Sequence, residues 1–486
     1  VTGPVIQPSY AAGEFSPQLF GRVDLAKYHV GAALLSNFFV DYRGGAPNRQ
    51  GTIAVGQCKV YNHFHPPRVI PFQFSTVQSY SLEFGDFYMR VIMNTSTKSW
   101  LPRPGYVLEP AFAVTAVTQA SPAVFSAPGH NFANGDQLSI SGALGMTEIN
   151  TTVGFQLLAA NVVGGVSFEA TDLDGTPFDS SVFPAYTGGG TVARVFTLVT
   201  PYAAADIALL KYTQNADTMT ITHPSYPTQQ LTRTQHWAWT IAPANFVPTV
   251  AVPAGQSATS STGGTTVYQY VVTATSGNTG QESLPSAIAS TSSVPMSTTA
   301  GAYNTVTWTL DPSVVIYKIY RTAEYQATTP PAGSQFGFVG SVTQNTFIDE
   351  NTTPDFTQTP PLDFDPFVGA NNYPSESTYW QSRQWFAAPN SAPLTFYGSK
   401  SGDYLNMGYS QPTRPNDSII ETLVAEQVNA IRHMVPMQSL IVMTSKGAWR
   451  VDGGSQSDTA TPNAIEAVPQ AFSGCSQVVP LKINYD

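Results

Sequence analysis

The sequence predicts a mainly β, multidomain protein, and three observations carry that expectation. At 486 residues the chain is too long for one ordinary domain. Charged residues make up only 11 %, well under the usual quarter; Thr, Ser, Gln, Asn, Gly and Pro replace them, so the surface of a helical enzyme is not encoded. The 38 Gly and 38 Pro fit many turns and few long helices, and short runs with two-residue alternation lie between them.

Residues 1–110 open with Ser16-Pro17, an N-cap and first-turn pair. Leu19, Val23, Ala26, Val30, Ala33 and Asn37 follow at three- and four-residue spacing. This predicts helix to about residue 36, interrupted near Gly21, and hence an α+β N-terminal domain. Extended runs come next: Thr52–Val55, Val69–Phe74, Ser79–Phe84 and Tyr88–Met93, with a tight turn at Glu83-Phe-Gly-Asp86 between the last two.

Residues 111–193 read as an insertion. Val114–Val117, Val124–Ser126, Gln137–Ile140, Phe155–Ala159 and Ser167–Ala170 are strand-like, and glycines punctuate them. Residues 194–246 resume the first domain, which is therefore discontinuous; Tyr202–Tyr212 is predicted as a short helix with Ile207 and Leu210 inward. Residues 247–365 read as a β-sandwich module followed by a Pro/Thr/Asp linker: Tyr268, Tyr270 and Val272 alternate with their neighbours, as do Thr305–Leu310 and Val314–Tyr320. In residues 366–486 paired strands are predicted at Thr378–Phe386, Thr395–Ser399, Gln438–Thr444 and Ala448–Val451.

Several phrases, in order, resemble the tail nozzle (tail tubular) proteins of short-tailed bacteriophages. They are Tyr10-Ala-Ala-Gly-Glu-Phe-Ser-Pro17, Phe20-Gly-Arg-Val-Asp-Leu25, Asn37-Phe-Phe and Gly44-Gly-Ala-Pro-Asn-Arg49. Ile70–Ser75, Tyr80–Asp86, Gln214–Arg233 and Ser418–Trp449 continue the match. The resemblance implies a homohexameric ring at the distal end of the tail, below a ring of adaptor subunits, through which DNA is ejected. It also implies β-propeller-like blades in residues 366–486, here expected to be incomplete. Two further resemblances concern fold alone. Gly129–Leu138 and Leu173–Thr176 are similar to a small β-barrel known from ubiquitin-activating enzymes, and Glu282-Ser-Leu-Pro-Ser286 resembles a fibronectin type III module.

Charge is unevenly spread around the formal net of −10. Residues 1–110 carry nine Lys/Arg against six Asp/Glu, whereas residues 111–193 have no Lys or Arg against six acids. Residues 247–365 have two basic residues against eight acidic. A DNA-gripping protein presents a basic stripe; this chain does the reverse over most of its length. Under the nozzle resemblance Arg22, Lys27, Arg43 and Arg49 are the candidate adaptor-facing residues, the alternative being ordinary surface ion pairs.

No constellation for catalysis stands out. Asp172/Asp174 and Asp363/Asp365 are close pairs in turn or linker sequence, where Asp serves hydrogen-bonded turns. Asp172-Leu-Asp174-Gly-Thr-Pro-Phe-Asp179 has alternating oxygens but lacks the spacing of a calcium loop. His63 and His65 have no third ligand at a recognisable spacing; His130 sits in a turn and His433 in the last module. Cys58 and Cys475 read as free thiols. No P-loop or nucleophile elbow is present. With no membrane-length apolar run and no leader pattern, a soluble chain is expected. The expectation is a structural virion protein with no enzymatic activity and no cofactor. A homo-oligomer is expected to contact the adaptor and tail fibres or spikes while genomic DNA passes without tight binding. A receptor-binding or adhesin-like tail protein is the main alternative, and a cell-wall hydrolase the second.

Overall fold

A computed structural model of the chain describes residues 6–52, 55–59, 63–75, 78–94, 104–151, 157–326, 329–425, 429–454 and 459–482. The predicted strands Thr52–Val55 and Phe155–Ala159, and the Ser418–Arg432 phrase, lie partly outside them. The chain divides into two compact units, Val1–Gln57 with Thr151–Phe155, and Cys58–Asn150 with Gln156–Asp486.

Among the described residues there is no α-helix; strands in several antiparallel sheets and short 3-10 turns make up the fold. The expected α+β N-terminal domain is thus corrected. Ser16 Oγ does cap the first turn, accepting the Gln18 N–H at 3.4 Å, but only Pro17–Leu19 is helical. At Gly21 φ is +83°, which no right-handed helix accommodates. A second 3-10 turn, Tyr28–Val30, leads into the strand Gly31–Ala32, which pairs in parallel with Gly13–Glu14. The three- and four-residue spacing had no core to answer to: no described residue up to Gln57 is buried. An apolar stripe without a buried face cannot hold a helix of middling propensity. The expected helix at Tyr202–Tyr212 likewise shrinks to Ile207–Leu209, because Lys211–Asn215 pairs as a strand with Thr218–His223. Ile207 and Leu210 are nevertheless fully buried.

In the larger unit, Arg68–Gln73, Ser79–Gly85 and Tyr88–Asn94 form an antiparallel meander, and Pro104–Tyr106 and Thr197–Val199 add to its last strand. The turn between the second and third strands falls at Asp86-Phe87, later than the predicted Glu83–Asp86. A second meander comprises Lys211–Asn215, Thr218–His223, Tyr226–Gln235 and Ala238–Pro243. Ile70, Phe72, Leu82, Phe84 and Val91 from the first sheet share one core with Met219, Ile221, Leu231 and Trp239 from the second. Phe72 packs on Trp239 at 4.8 Å between ring centroids. Each such side chain, fully buried, contributes about 1.5–3 kcal/mol.

Residues between these sheets form their own seven-stranded sheet around Phe125, Leu138, Ile140, Leu157 and Phe168. Phe112–Ala113 pairs with Gly188–Arg194, while Ala116–Val117 pairs with Val124–Ser126. Val114 N–H donates to Gly190 O and Thr115 N–H to Ser126 O, so one segment bonds both edges and the sheet closes on itself. Closure leaves no free edge for another strand. Entry and exit run side by side: Leu108 bridges Val195, and Glu109 N–H donates to Arg194 O.

Two sheets cover residues 257–349. Ser257–Ser260, Asn304–Thr307 and Thr346–Asp349 form one. Thr266–Ser276, flanked by Ala289–Ser293 and Val314–Arg321, forms the other, with Gly337–Val342 beyond. Their core holds Tyr268, Tyr270, Val272, Trp308, Tyr317 and Ile319. Two four-stranded meanders follow. The first is Glu376–Trp380, Arg383–Ala387, Thr395–Gly398 and Ile419–Thr422. The second is Ile431–Pro436, Leu440–Thr444, Ala448–Asp452 and Glu466–Ala471. The single strand expected at Thr378–Phe386 is therefore two, broken at Gln381-Ser382, where φ is +48° and +57°. The first strands of three meanders converge, with Lys211–Asn215 beside Glu376–Trp380 and Glu376–Trp380 beside Ile431–Pro436.

Candidate functional site

The N-terminal unit carries the candidate residues Arg22, Lys27, Arg43 and Arg49. It is well bonded locally. Glu14 Oε2 accepts the Leu35 N–H at 2.8 Å, and Tyr28 OH accepts the Gly21 N–H at 3.0 Å. The Phe15 and Tyr28 rings stack at 5.7 Å, over Gly31, where any Cβ would overlap the Phe15 ring. Residues 37–49 fold back on themselves through Phe39 N–H to Pro47 O, Asp41 N–H to Gly45 O and Arg49 N–H to Asn37 O. Tyr10 N–H to Gly44 O ties this hairpin to the start of the unit.

Yet this bonded frame encloses no core. Val23 is 65 % exposed, Leu34 73 %, Phe39 60 % and Tyr42 80 %, and Phe20 and Phe38 are exposed as well. The backbone here is ordered while these apolar side chains stay exposed.

The four candidate basic residues all lie in this unit and are exposed. Arg43 and Arg49 share the 37–49 hairpin, while Arg22 and Lys27 lie between the two 3-10 turns. Arg22 makes a bidentate pair with Asp24 at 2.6 and 2.7 Å, and this pairing lowers the Asp24 carboxyl below its ordinary range. Both side chains are more than half exposed, so the pair adds little stability. Arg43 lies over the Tyr42 ring, 5.1 Å from its centroid, and donates to Tyr42 OH. Arg49 Nε donates to Asn37 Oδ1 at 3.2 Å.

The other residues singled out from sequence serve local structure. Asp174 accepts the Thr176 N–H and Asp179 the Ser181 N–H, each within its own turn; the Thr176 N–H and hydroxyl lower Asp174, and the Ser181 hydroxyl and then its N–H lower Asp179. Asp365 accepts the Phe367 N–H. His130 is buried, stacks on Phe132 at 4.8 Å and accepts its N–H through Nδ1. His63 packs against the edge of Phe64. Among the described residues, no group of three or more His, Cys, Asp or Glu is placed to hold a metal ion, and no helix is long and apolar enough to cross a membrane.

Sequence reasoning missed two charged clusters. Glu83, buried, accepts hydroxyl protons from Tyr88 at 2.8 Å and from Tyr106, and stands opposite Arg90 in the ladder. Glu376, also buried, lies 2.9 Å from Lys211 Nζ and 3.5 Å from His433 Nδ1, where the three meanders meet. Lys211 also donates to Arg432 O, and Arg432 to Cys475 O. A single acid in a strand was the signal in each case, and no spacing rule connects it to partners from other sheets.

No family model and no curated protein matches the chain. Among solved structures it is weakly similar to a phage protein, described as phage phi92 endosialidase, at 10 % identity. That likeness covers 86 % of this chain and 50 % of the other, so the chain spans about half that protein's length, with a TM-score of 0.16. A score so low carries no argument about fold or activity.

Proposed function

We propose that this chain is a structural virion protein, the subunit of a tail nozzle ring in a short-tailed phage. One observation carries the reading. The segment bearing the first nozzle-like phrases, Tyr10–Arg49, is tied by backbone hydrogen bonds at both of its turns and its hairpin, yet none of its residues is fully buried. Such a surface gains its apolar burial from neighbouring subunits, and a head-to-tail contact that closes yields a ring with a channel. On this reading the ring is a homohexamer at the distal end of the tail. Arg22, Lys27, Arg43 and Arg49 face the adaptor above, and tail fibres or spikes contact its periphery. The closed sheet of residues 111–193 is the barrel insert, residues 247–365 the fibronectin-like sandwich with its linker, and residues 366–486 the propeller-like blades.

The chain's acidity suits a conduit. Acidic and neutral walls repel phosphate, whereas a basic lumen would hold DNA by counterion release. Purified assemblies should therefore bind duplex DNA weakly, with a shallow dependence on salt; tight binding with a steep salt slope would contradict a non-gripping channel. The number of subunits around the axis, seen by electron microscopy, tests the ring itself.

A further inference from the structure

A cleft of about 410 Å³ opens where the Asn215 turn of one meander meets the Gln381-Ser382 turn of another. Tyr379 and Tyr404 line it with ring centroids 5.1 Å apart and planes at 75°, making an aromatic corner. Tyr404 is 37 % exposed.

The Gln381-Ser382 turn is a two-residue hairpin connection with both residues at positive φ. Asn-Gly is the favoured pair for that conformation, and neither residue here is Gly or Asn. Tertiary bonds hold the turn in place: Gly402 N–H donates to Ser382 O at 2.8 Å, and Ala460 N–H to Gln381 Oε1 at 2.8 Å. A strained turn, over-determined by its surroundings and set at a cleft, points to use of that cleft.

The lining fixes the ligand's chemistry. It contains no carboxylate, and its single charged group, Arg383, is buried. Arg383 NH1 donates to Ser399 O and Asp417 O and NH2 to Pro415 O, so its guanidinium is already committed to carbonyls. The Tyr379 hydroxyl already meets the Thr220 side chain; what remains is the Tyr404 phenol, the Asn215 amide and the Ser382 hydroxyl beside the exposed Tyr404 ring. We propose that this cleft binds a neutral saccharide. A sugar ring presents an apolar C–H face to an aromatic ring and hydroxyls to amides and phenols around its rim, which is what this corner offers. A phosphorylated or acidic ligand would find no uncommitted cation there.

The test uses the full chain on an array carrying neutral probes (maltotriose, triacetylchitotriose and globotriose) and acidic ones (sialyllactose and a sulfated trisaccharide). The strongest neutral binder is then titrated against Tyr404→Ala and Tyr404→Phe proteins whose thermal melts match the parent. Binding of a neutral probe, weakened at least tenfold by Tyr404→Ala and largely kept by Tyr404→Phe, is the expected result. Absence of neutral binding, binding of acidic probes alone, or affinity that Tyr404→Ala leaves unchanged overturns it. A Tyr404→Ala protein that binds no sugar differently but assembles differently also overturns it, and makes the cleft a subunit contact.

Discussion

Lys211 Nζ lies 2.9 Å from Glu376 Oε2, with both side chains about nine-tenths buried, and so joins the leading strands of two sheets. The same carboxylate oxygen faces His433 Nδ1 on the leading strand of a third. One acid therefore sits where three sheets converge. Breaking one partner of a buried pair strands the other charge, at a cost of about 3–5 kcal/mol. Lys211→Met should destabilise the chain by that order, measured by denaturant or thermal unfolding. Lys211→Met with Glu376→Leu should recover much of the loss, since the orphaned charge is gone. A double variant as unstable as the single would show that packing, and not the charge, carries the junction.

The sandwich contains a carboxylate whose environment makes stability depend on pH. Burial alone would raise Glu282, but Lys318 Nζ at 2.6 Å and the hydroxyls of Thr273 and Tyr320 outweigh it, so its carboxyl is lowered overall. A lowered folded-state pKa stabilises above the unfolded value, about 4.3, and that contribution is lost as pH falls through the folded value. Glu282→Gln should cost about 2 kcal/mol near neutrality. The gap between variant and parent should narrow below about pH 4. A gap independent of pH would show that the carboxylate is not the source.

Removal of residues 111–193, with Pro110 joined to Arg194 by a short Gly linker, should leave the flanking sheets folded. Leu108 and Val195 already bridge, Phe196 N–H donates to Val107 O, and the inserted core shares no residue with the Ile70–Trp239 core. The deletion does remove Asp136, leaving Arg194 paired with Glu109 alone. Under the assembly proposed above, rings should still form. Folded subunits that no longer assemble would mean that the insert carries subunit contacts.

The β character was legible because alternation and glycine placement are local. The run around Tyr268 and Tyr270, and the strands that follow Gly135 and Gly165, depend on residues within a few positions of each other. The helix expected after Ser16 was not, since three- and four-residue spacing implies a helix only where a core faces it, and none faces Leu19 or Val23. The break at Gln381-Ser382 carried no turn signal, because neither residue is one that favours positive φ. The Lys211–Glu376–His433 contact and the Tyr379–Tyr404 corner are assembled from distant segments, and only tertiary packing brings them together. Arg22, Lys27, Arg43 and Arg49 were legible as a basic group, but not the coreless unit that displays them.

The central claim is that Tyr10–Arg49 gains its buried surface from neighbouring subunits in a ring. Electron-microscope class averages of the purified chain, alone or with its adaptor, count the subunits directly, and Phe39→Asp with Tyr42→Asp supplies the paired control. The account predicts six-fold rings for the parent and folded single subunits for the double variant. A three-fold particle, or six-fold rings that persist with both aspartates in place, would contradict it.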